Sequence, residues 1–275
     1  MIKLLKDSFG ILKNNMIFIQ PLLLLLLFVL TVIPYLSQLN TNIIAKSTLF
    51  LSIALLTCAI YSGWLYINKL GIESYIENEE PENITKKSIE NFKKFFLGIG
   101  EKFLKCLGAY ILYTIIWALI FFGLIKFSTH FYGIVEISNL QQNAQELVKS
   151  LSVEQLQTLS KWILTFFPIV LLSQFGFILY NASLFFDNEN IFKCLINTII
   201  FLFKNLGTII AIILFLFLLQ VTINAIIPLF NENIIGITLY IICSIIYFNF
   251  YAILTFRLYS EKTKISSNNR TEFIG

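Results

Sequence analysis

The sequence predicts an all-α, polytopic integral membrane protein with six transmembrane helices and three cytoplasmic amphipathic interfacial helices. Three observations carry this. First, 57% of the 275 residues are hydrophobic and only 13% are charged, whereas soluble domains carry roughly 25% charged residues. Second, uncharged apolar runs recur that reach the roughly 20 residues a helix needs to cross a bilayer core; the first contains six consecutive leucines, Leu22 through Leu27. Third, alternate runs follow segments whose apolar residues step by three and four with Lys opposite, the pattern of a helix lying in the headgroup plane.

In residues 1–15, Ile2, Leu5, Phe9, Leu12 and Met16 form one face, and Lys3, Lys6, Gly10 and Lys13 the other. Span one follows at about 17–36. Pro21 sits near its start, where a missing N–H costs least, and Pro34 is expected to end it. The run is longer than the apolar core of a secretory signal, and no small-x-small cleavage site follows it, so it reads as an uncleaved span. A polar link, 37–47, leads to span two at about 48–70. There Ala54, Cys58 and Ser62 lie four apart with Ala59 and Gly63 beside them, a spacing that lets helices approach closely in lipid. Tyr61, Trp64 and Tyr66 read as an interfacial aromatic belt.

After the acidic link 73–82, with its Pro81, comes the second interfacial helix. Ile89, Phe92, Phe96, Ile99 and Phe103 oppose Lys87, Glu90, Lys94, Glu101 and Lys105. It runs into span three, about 104–127. Residues 128–160 are the longest polar insertion, expected to hold one or two short helices outside the membrane; Ser152 and Gln155 have the spacing of a capping box, a helix-start signal. Span four, about 162–186, contains Pro168 and ends in the polar turn Asp187-Asn188-Glu189-Asn190. Asp187 is expected to cap the helix that follows. Residues 191–230 are nearly all apolar and would make one helix of roughly 60 Å, twice the hydrocarbon thickness. Lys204-Asn205-Leu206-Gly207 is the natural break. Residues 191–203 are therefore the third surface helix, with Lys193 and Asn197 on a weak polar face. Span five is about 206–230, and span six, after Asn231-Glu232-Asn233, about 234–256. The membrane domain covers 1–258 and a polar cytoplasmic tail 259–275.

The unit of surface helix plus span pair thus occurs three times, and Ile11-Leu12-Lys13-Asn14 resembles Leu202-Phe203-Lys204-Asn205. With an inside N-terminus, 16 of the 20 Lys and Arg residues fall on inner segments; only Lys46, Lys126, Lys149 and Lys161 fall outside. Positive residues stay cytoplasmic, so both termini are expected inside, with the three surface helices on the inner leaflet, where anionic headgroups attract Lys. The net charge of +4 is small and gives no reason to expect a nucleic-acid partner. High Ile, Asn, Lys and Phe content fits an AT-rich bacterial genome, and hence a multi-pass protein of the cell (inner) membrane.

No span centre carries Asp, Glu, Lys, Arg or His, which argues against a proton relay. Cys58, Cys106, Cys194 and Cys243 lack ligand or disulfide spacing and read as small hydrophobes. His130 has no acidic or nucleophilic partner at useful spacing. There is no phosphate loop, zinc-protease helix or nucleophile elbow, so no catalytic residue, metal or cofactor is expected. Uncharged polar residues do cluster. Ser173, Gly176, Tyr180 and Ser183 form a stripe on span four leading to Asp187, with Gln174 and Asn181 beside it; Gln220 and Asn224 lie four apart on span five. Two readings of Gln174, Tyr180, Asn181, Ser183, Gln220 and Asn224 stand side by side: interhelical hydrogen bonds, or a polar groove for a lipid headgroup or small solute.

The architecture and its Lys-Asn break before span five resemble the prokaryotic six-span proteins of the YciC type, related to the membrane domain fused to some glycerophosphodiester phosphodiesterases. The phosphodiesterase domain has no counterpart here, and the resemblance implies no assigned active site, so no functional residue is carried over. The expected function is a non-enzymatic membrane protein that organises lipid or partner proteins, itself included as a homo-oligomer; the alternative is a permease or channel for a lipid or small neutral solute.

Overall fold

The computed structural model describes residues 1–38, 43–77, 81–134, 151–226 and 234–272. Among them the regular structure is entirely helical: α1 (Ile2–Asn14), a 3-10 turn (Met16–Ile19), α2 (Gln20–Gln38), α3 (Ile43–Ile76), α4 (Pro81–Lys93), α5 (Phe95–Tyr132), α6 (Val153–Phe186), α7 (Ile191–Lys204), α8 (Leu206–Ile226) and α9 (Ile234–Glu272). Five helices are each long and apolar enough to cross a membrane, and α1 with the start of α2, bent by 79°, counts as a sixth. The chain is an all-α polytopic membrane protein.

Three times a helix of 13 or 14 residues leads across a short break into an apolar helix. Two of the breaks use the same device. Asn15 and Asn205 adopt φ/ψ of −117°/31° and −118°/21°. Each side-chain amide donates to the carbonyl four residues back, Ile11 O at 2.9 Å and Phe201 O at 3.0 Å. A side chain that competes for its own helix's carbonyls bends that helix. The geometry pairs Asn15, not Asn14, with Asn205, a shift of one from the match read in the sequence. The middle break falls at Lys94, whose N–H bonds to Asn91 O. The expected second surface helix is therefore divided: Phe96, Ile99 and Phe103 belong to α5. An apolar period of three and four runs across a one-residue break without showing it.

The spanning helices outrun the spans read from the sequence. α3, α5, α6 and α9 have 34, 38, 34 and 39 residues, roughly 50–58 Å at about 1.5 Å per residue, against a hydrocarbon core of about 30 Å. α2 continues through Pro34, which was expected to end it, and Pro81 opens α4, at the first helical position where its missing N–H costs nothing. α9 runs through the stretch read as a tail. The capping box forms: Ser152 N–H donates to Gln155 Oε1 at 2.9 Å and Gln155 N–H to Ser152 Oγ at 3.2 Å. It opens the long α6, not a separate short helix. Residues 135–150 of the polar insertion and the Asn231-Glu232-Asn233 turn lie outside the described residues.

The chain divides into two compact units. Met1–Ala109 with Ile178–Gly275 form the first, and Tyr110–Phe177 the second. In the first unit α9 is the central post; residues 249–256 and 258–260 are all buried. Trp64, expected in an interfacial belt, is instead fully buried and stacks on Phe248 at 5.3 Å. Gly63 meets α5 closely: a Cβ there would lie 2.8 Å from the Phe95 carbonyl oxygen, as its place among small residues anticipates. α1 packs on α9 through Leu4, Ser8, Ile11 and Leu12, and Arg257 Nη2 donates to Asp7 Oδ2 at 3.1 Å. The apolar line read from the sequence is only partly on this face: Leu12 is buried there and Phe9, half-exposed, stacks on Phe250, whereas Ile2 and Met16 are exposed. In the second unit, residues 110–132 and 153–177 pair through aromatic rings. Phe121 stacks on Phe166 at 6.2 Å, Trp162 Nε1 donates to Gly133 O at 3.3 Å, and Tyr113 Oη to Ser173 O at 2.5 Å. Gly133, at φ +88°, supplies the left-handed residue that commonly follows a helix end.

Candidate functional site

The polar corner of the first unit is built where α6 turns into α7. Asp187 N–H makes the last helical bond of α6, to Ser183 O at 2.9 Å. Asn188 then takes a left-handed φ of 52°, a conformation Asn tolerates better than most residues. Asn190 caps α7: its Oδ1 accepts from Lys193 N–H at 2.8 Å. The capping role expected of Asp187 thus belongs to Asn190, because Asn190 immediately precedes the first helical residue and has the extended backbone a cap requires. Lys102 Nζ and Lys105 Nζ donate to Asn188 Oδ1 at 2.9 and 3.1 Å, tying the turn to α5. Lys193 pairs with Glu189 at 2.6 Å, and that hydrogen bond and charge raise the Lys193 ammonium above its ordinary value.

Asp187 itself turns inward. Its Oδ2 accepts three hydrogen bonds: from Ser183 Oγ at 2.7 Å, Asn197 Nδ2 at 3.0 Å and Tyr259 Oη at 2.5 Å. One carboxylate oxygen therefore ties the end of α6 to α7 and α9, and Oδ1 takes no hydrogen bond among the described residues. Hydrogen bonds to charged groups are the stronger class, about 1.5–3 kcal/mol each. Alongside lies a cavity of about 690 Å³. Asp187, Asn197, Asn205, Tyr259 and Thr263 give it polar walls, Ile200 and Phe201 apolar ones, and Lys204 and Lys262 a positive charge.

Of the residues singled out in the sequence, Tyr180 and Ser183 serve this corner. Both are buried. Tyr180 Oη donates to Ile191 O at 2.8 Å, fastening the first residue of α7 to α6, and Ser183 bonds Asp187. Asn181 is buried on the same helix. Gln174 is exposed and belongs to the second unit. Gln220 and Asn224 are exposed on α8, where Gln220 Oε1 accepts from Tyr247 Oη at 3.4 Å; neither lines the Asp187 cavity. Sequence reasoning placed Asn197 on a polar face and Asp187 in a turn, but not in one site. It missed Tyr259, Lys262 and Thr263 entirely, since they fall in the stretch read as a tail and join the Asp187 cavity only through folding.

Cys194 is buried one turn into α7, and burial pushes its thiol up, which suits a packing residue and not a nucleophile. A second cavity, about 390 Å³, lies between α2 and α9 and is lined almost wholly by apolar side chains such as Leu22, Leu26, Ile245 and Phe248. No protein-family model, no curated protein and no solved structure matches the chain, so its activity has to be read from this geometry.

Proposed function

We propose that the protein is a non-enzymatic organiser of lipid in the cell membrane, holding a lipid headgroup in the Asp187 cavity on the cytoplasmic side. The observation that carries this is the placement of a charged, polar cavity against α7, whose Phe192, Ile196, Ile199, Ile200 and Phe203 are exposed apolar side chains. A headgroup site beside an oil-like face has the two chemistries of a lipid. α1 and the turn after it support the reading: they leave Ile2, Phe9 and Met16 exposed with Lys3, Lys6 and Lys13, the composition of an interfacial helix that attracts anionic lipid. The distribution of Lys and Arg supports an inside location for this face.

Lipid retention tests the reading. The full chain, purified in mild detergent and washed extensively, is expected to keep at least one phospholipid per protein, measured by extraction and mass spectrometry. Replacing Lys204 and Lys262 together with Gln is expected to lower that occupancy severalfold. A washed chain without lipid, or one indifferent to the double substitution, overturns the proposal. A permease for a lipid or neutral solute is the second reading, favoured by the exposure of Gln174, Gln220 and Asn224 on spanning helices. Those side chains call for water or a partner helix, such as a second copy of the chain, because hydrocarbon offers no hydrogen bonds. Scrambling or solute flux in liposomes that is lost in Gln220→Leu would favour transport.

A further inference from the structure

We propose that the Asp187 cavity selects a phospholipid whose headgroup ends in a primary ammonium, with Lys204 and Lys262 taking the phosphate and Asp187 the ammonium. The inference rests on the lipid-organising reading above and specifies its ligand. It follows from counting which donors and acceptors the protein has already used. Asp187 Oδ2 is saturated by three donors, whereas Oδ1 accepts none among the described residues. Asn197 has committed its Nδ2 to Asp187 and Asn205 its Nδ2 to Phe201 O. Each amide is left with an acceptor oxygen. All three residues line the one cavity. Among the described residues it therefore offers three unused acceptor oxygens, one of them on a carboxylate without an ion-pair partner. A primary ammonium brings three N–H donors and one positive charge.

The other half of the ligand is set by the lysines. Lys204 ends α7 and Lys262 lies on α9, both exposed and neither in an ion pair among the described residues. Two lysines on one cavity are a natural seat for a phosphate. Glu189 does not compete, since Lys193 already neutralises it.

Other headgroups fit less well. A choline head has no N–H to give the three acceptors. A glycerol head brings hydroxyl donors but leaves the Asp187 charge without a counterion. A serine head sets a second carboxylate beside Asp187. The exposed apolar side chains of α7 next to the cavity assign the phosphate-ammonium pair to a lipid and not to free phosphoethanolamine.

Native mass spectrometry of the delipidated full chain tests this, using palmitoyl-oleoyl lipids with ethanolamine, glycerol and choline heads, and free phosphoethanolamine as competitor. The ethanolamine lipid is expected to bind about tenfold tighter than the other two. Asp187→Asn is expected to erase that preference, and Lys204→Gln with Lys262→Gln to weaken all three. If Asp187→Asn does not fold, the wild-type headgroup series and the lysine pair, which is exposed, still decide. Equal binding of the three lipids with lipid still retained overturns the headgroup assignment alone. Retention of no lipid of any kind overturns the organiser reading with it. Displacement of the ethanolamine lipid by equimolar phosphoethanolamine overturns the choice of a lipid as the source.

Discussion

Asp187 shows how one polar atom can organise a membrane protein. In an apolar setting a carboxylate needs donors, and Oδ2 collects them from a hydroxyl, an amide and a phenol on α6, α7 and α9. Tyr259→Phe removes one of these donors and is expected to cost about 1–2 kcal/mol, read as a lowered melting temperature in detergent. Asp187→Ala leaves three donors without an acceptor and is expected to cost two to three times as much. Equal losses in the two variants would mean that Asp187 is not the shared acceptor. Cys194 supplies a simpler check. Being buried, with its thiol pushed up, it is expected to resist maleimide at neutral pH in the folded chain and to react once the chain is unfolded in SDS. Half of this site was legible in the sequence. Asp187 follows the last residue of α6 and keeps its helical bond to Ser183 O, so its pairing with the Ser183 side chain four residues back follows from helical period. Tyr259 gave no signal, because its partner is 72 residues away in the chain and its position reads as the polar margin of span six.

At the scale of elements, apolar runs revealed the spans because hydrocarbon tolerates little else, but they hid where helices stop. Outside the bilayer a helix continues on polar sequence when its own side chains support it. α3 passes the end of its apolar run with Lys69 and Glu73 paired four residues apart at 3.5 Å. The same limit misplaced the inward face of α1. That face includes Ser8 and Asn15, polar residues that bury cheaply because each bonds a carbonyl of its own helix, Leu4 O at 2.8 Å and Ile11 O at 2.9 Å. Hydrophobic periodicity does not register such residues as core. The docking of α1 on α9 rests on the Asp7–Arg257 pair, largely shielded at 18% and 13% side-chain exposure, and on Phe9 stacked against Phe250 at 4.4 Å. Asp7→Ala strands the guanidinium, whose Nε already lacks a partner among the described residues, and is expected to cost about 2 kcal/mol. Arg257→Ala in the same background should add much less than it does alone, a double-mutant coupling that additive losses would contradict. The close approach of α3 and α5 makes a second test. Gly63→Ala sets a methyl 2.8 Å from the Phe95 carbonyl oxygen, a rigid neighbour, and is expected to cost about 1–3 kcal/mol, while Gly100→Ala, in open space, should cost nothing measurable.

For the whole molecule, the threefold succession of short helix, break and spanning helix was visible in the sequence as an alternation of Lys-edged amphipathic segments and uncharged runs. At its first occurrence the alternation takes a physical form: α1 is bent 79° from the helix that follows it. Which side of the membrane these short helices occupy depends on charge. Sixteen of the 20 Lys and Arg residues fall on the segments shared by both termini and the short helices, and moving so many cations outward would oppose both the insertion bias and the anionic inner leaflet. In a chain with its four native cysteines replaced by Ala or Ser, single cysteines at Lys13, Lys86 and Lys193 are therefore expected to share one side with Ser266, and Lys149 to lie on the other. A membrane-impermeant maleimide added to intact cells should label the Lys149 position alone, and the remaining four only after the membrane is opened. Labelling of Lys149 and Ser266 from the same side would break the three crossings expected between them. Labelling of Lys13, Lys86 and Lys193 from different sides would break the threefold repeat, and with it the common lysine-lined surface on which the Asp187 cavity is proposed to meet lipid.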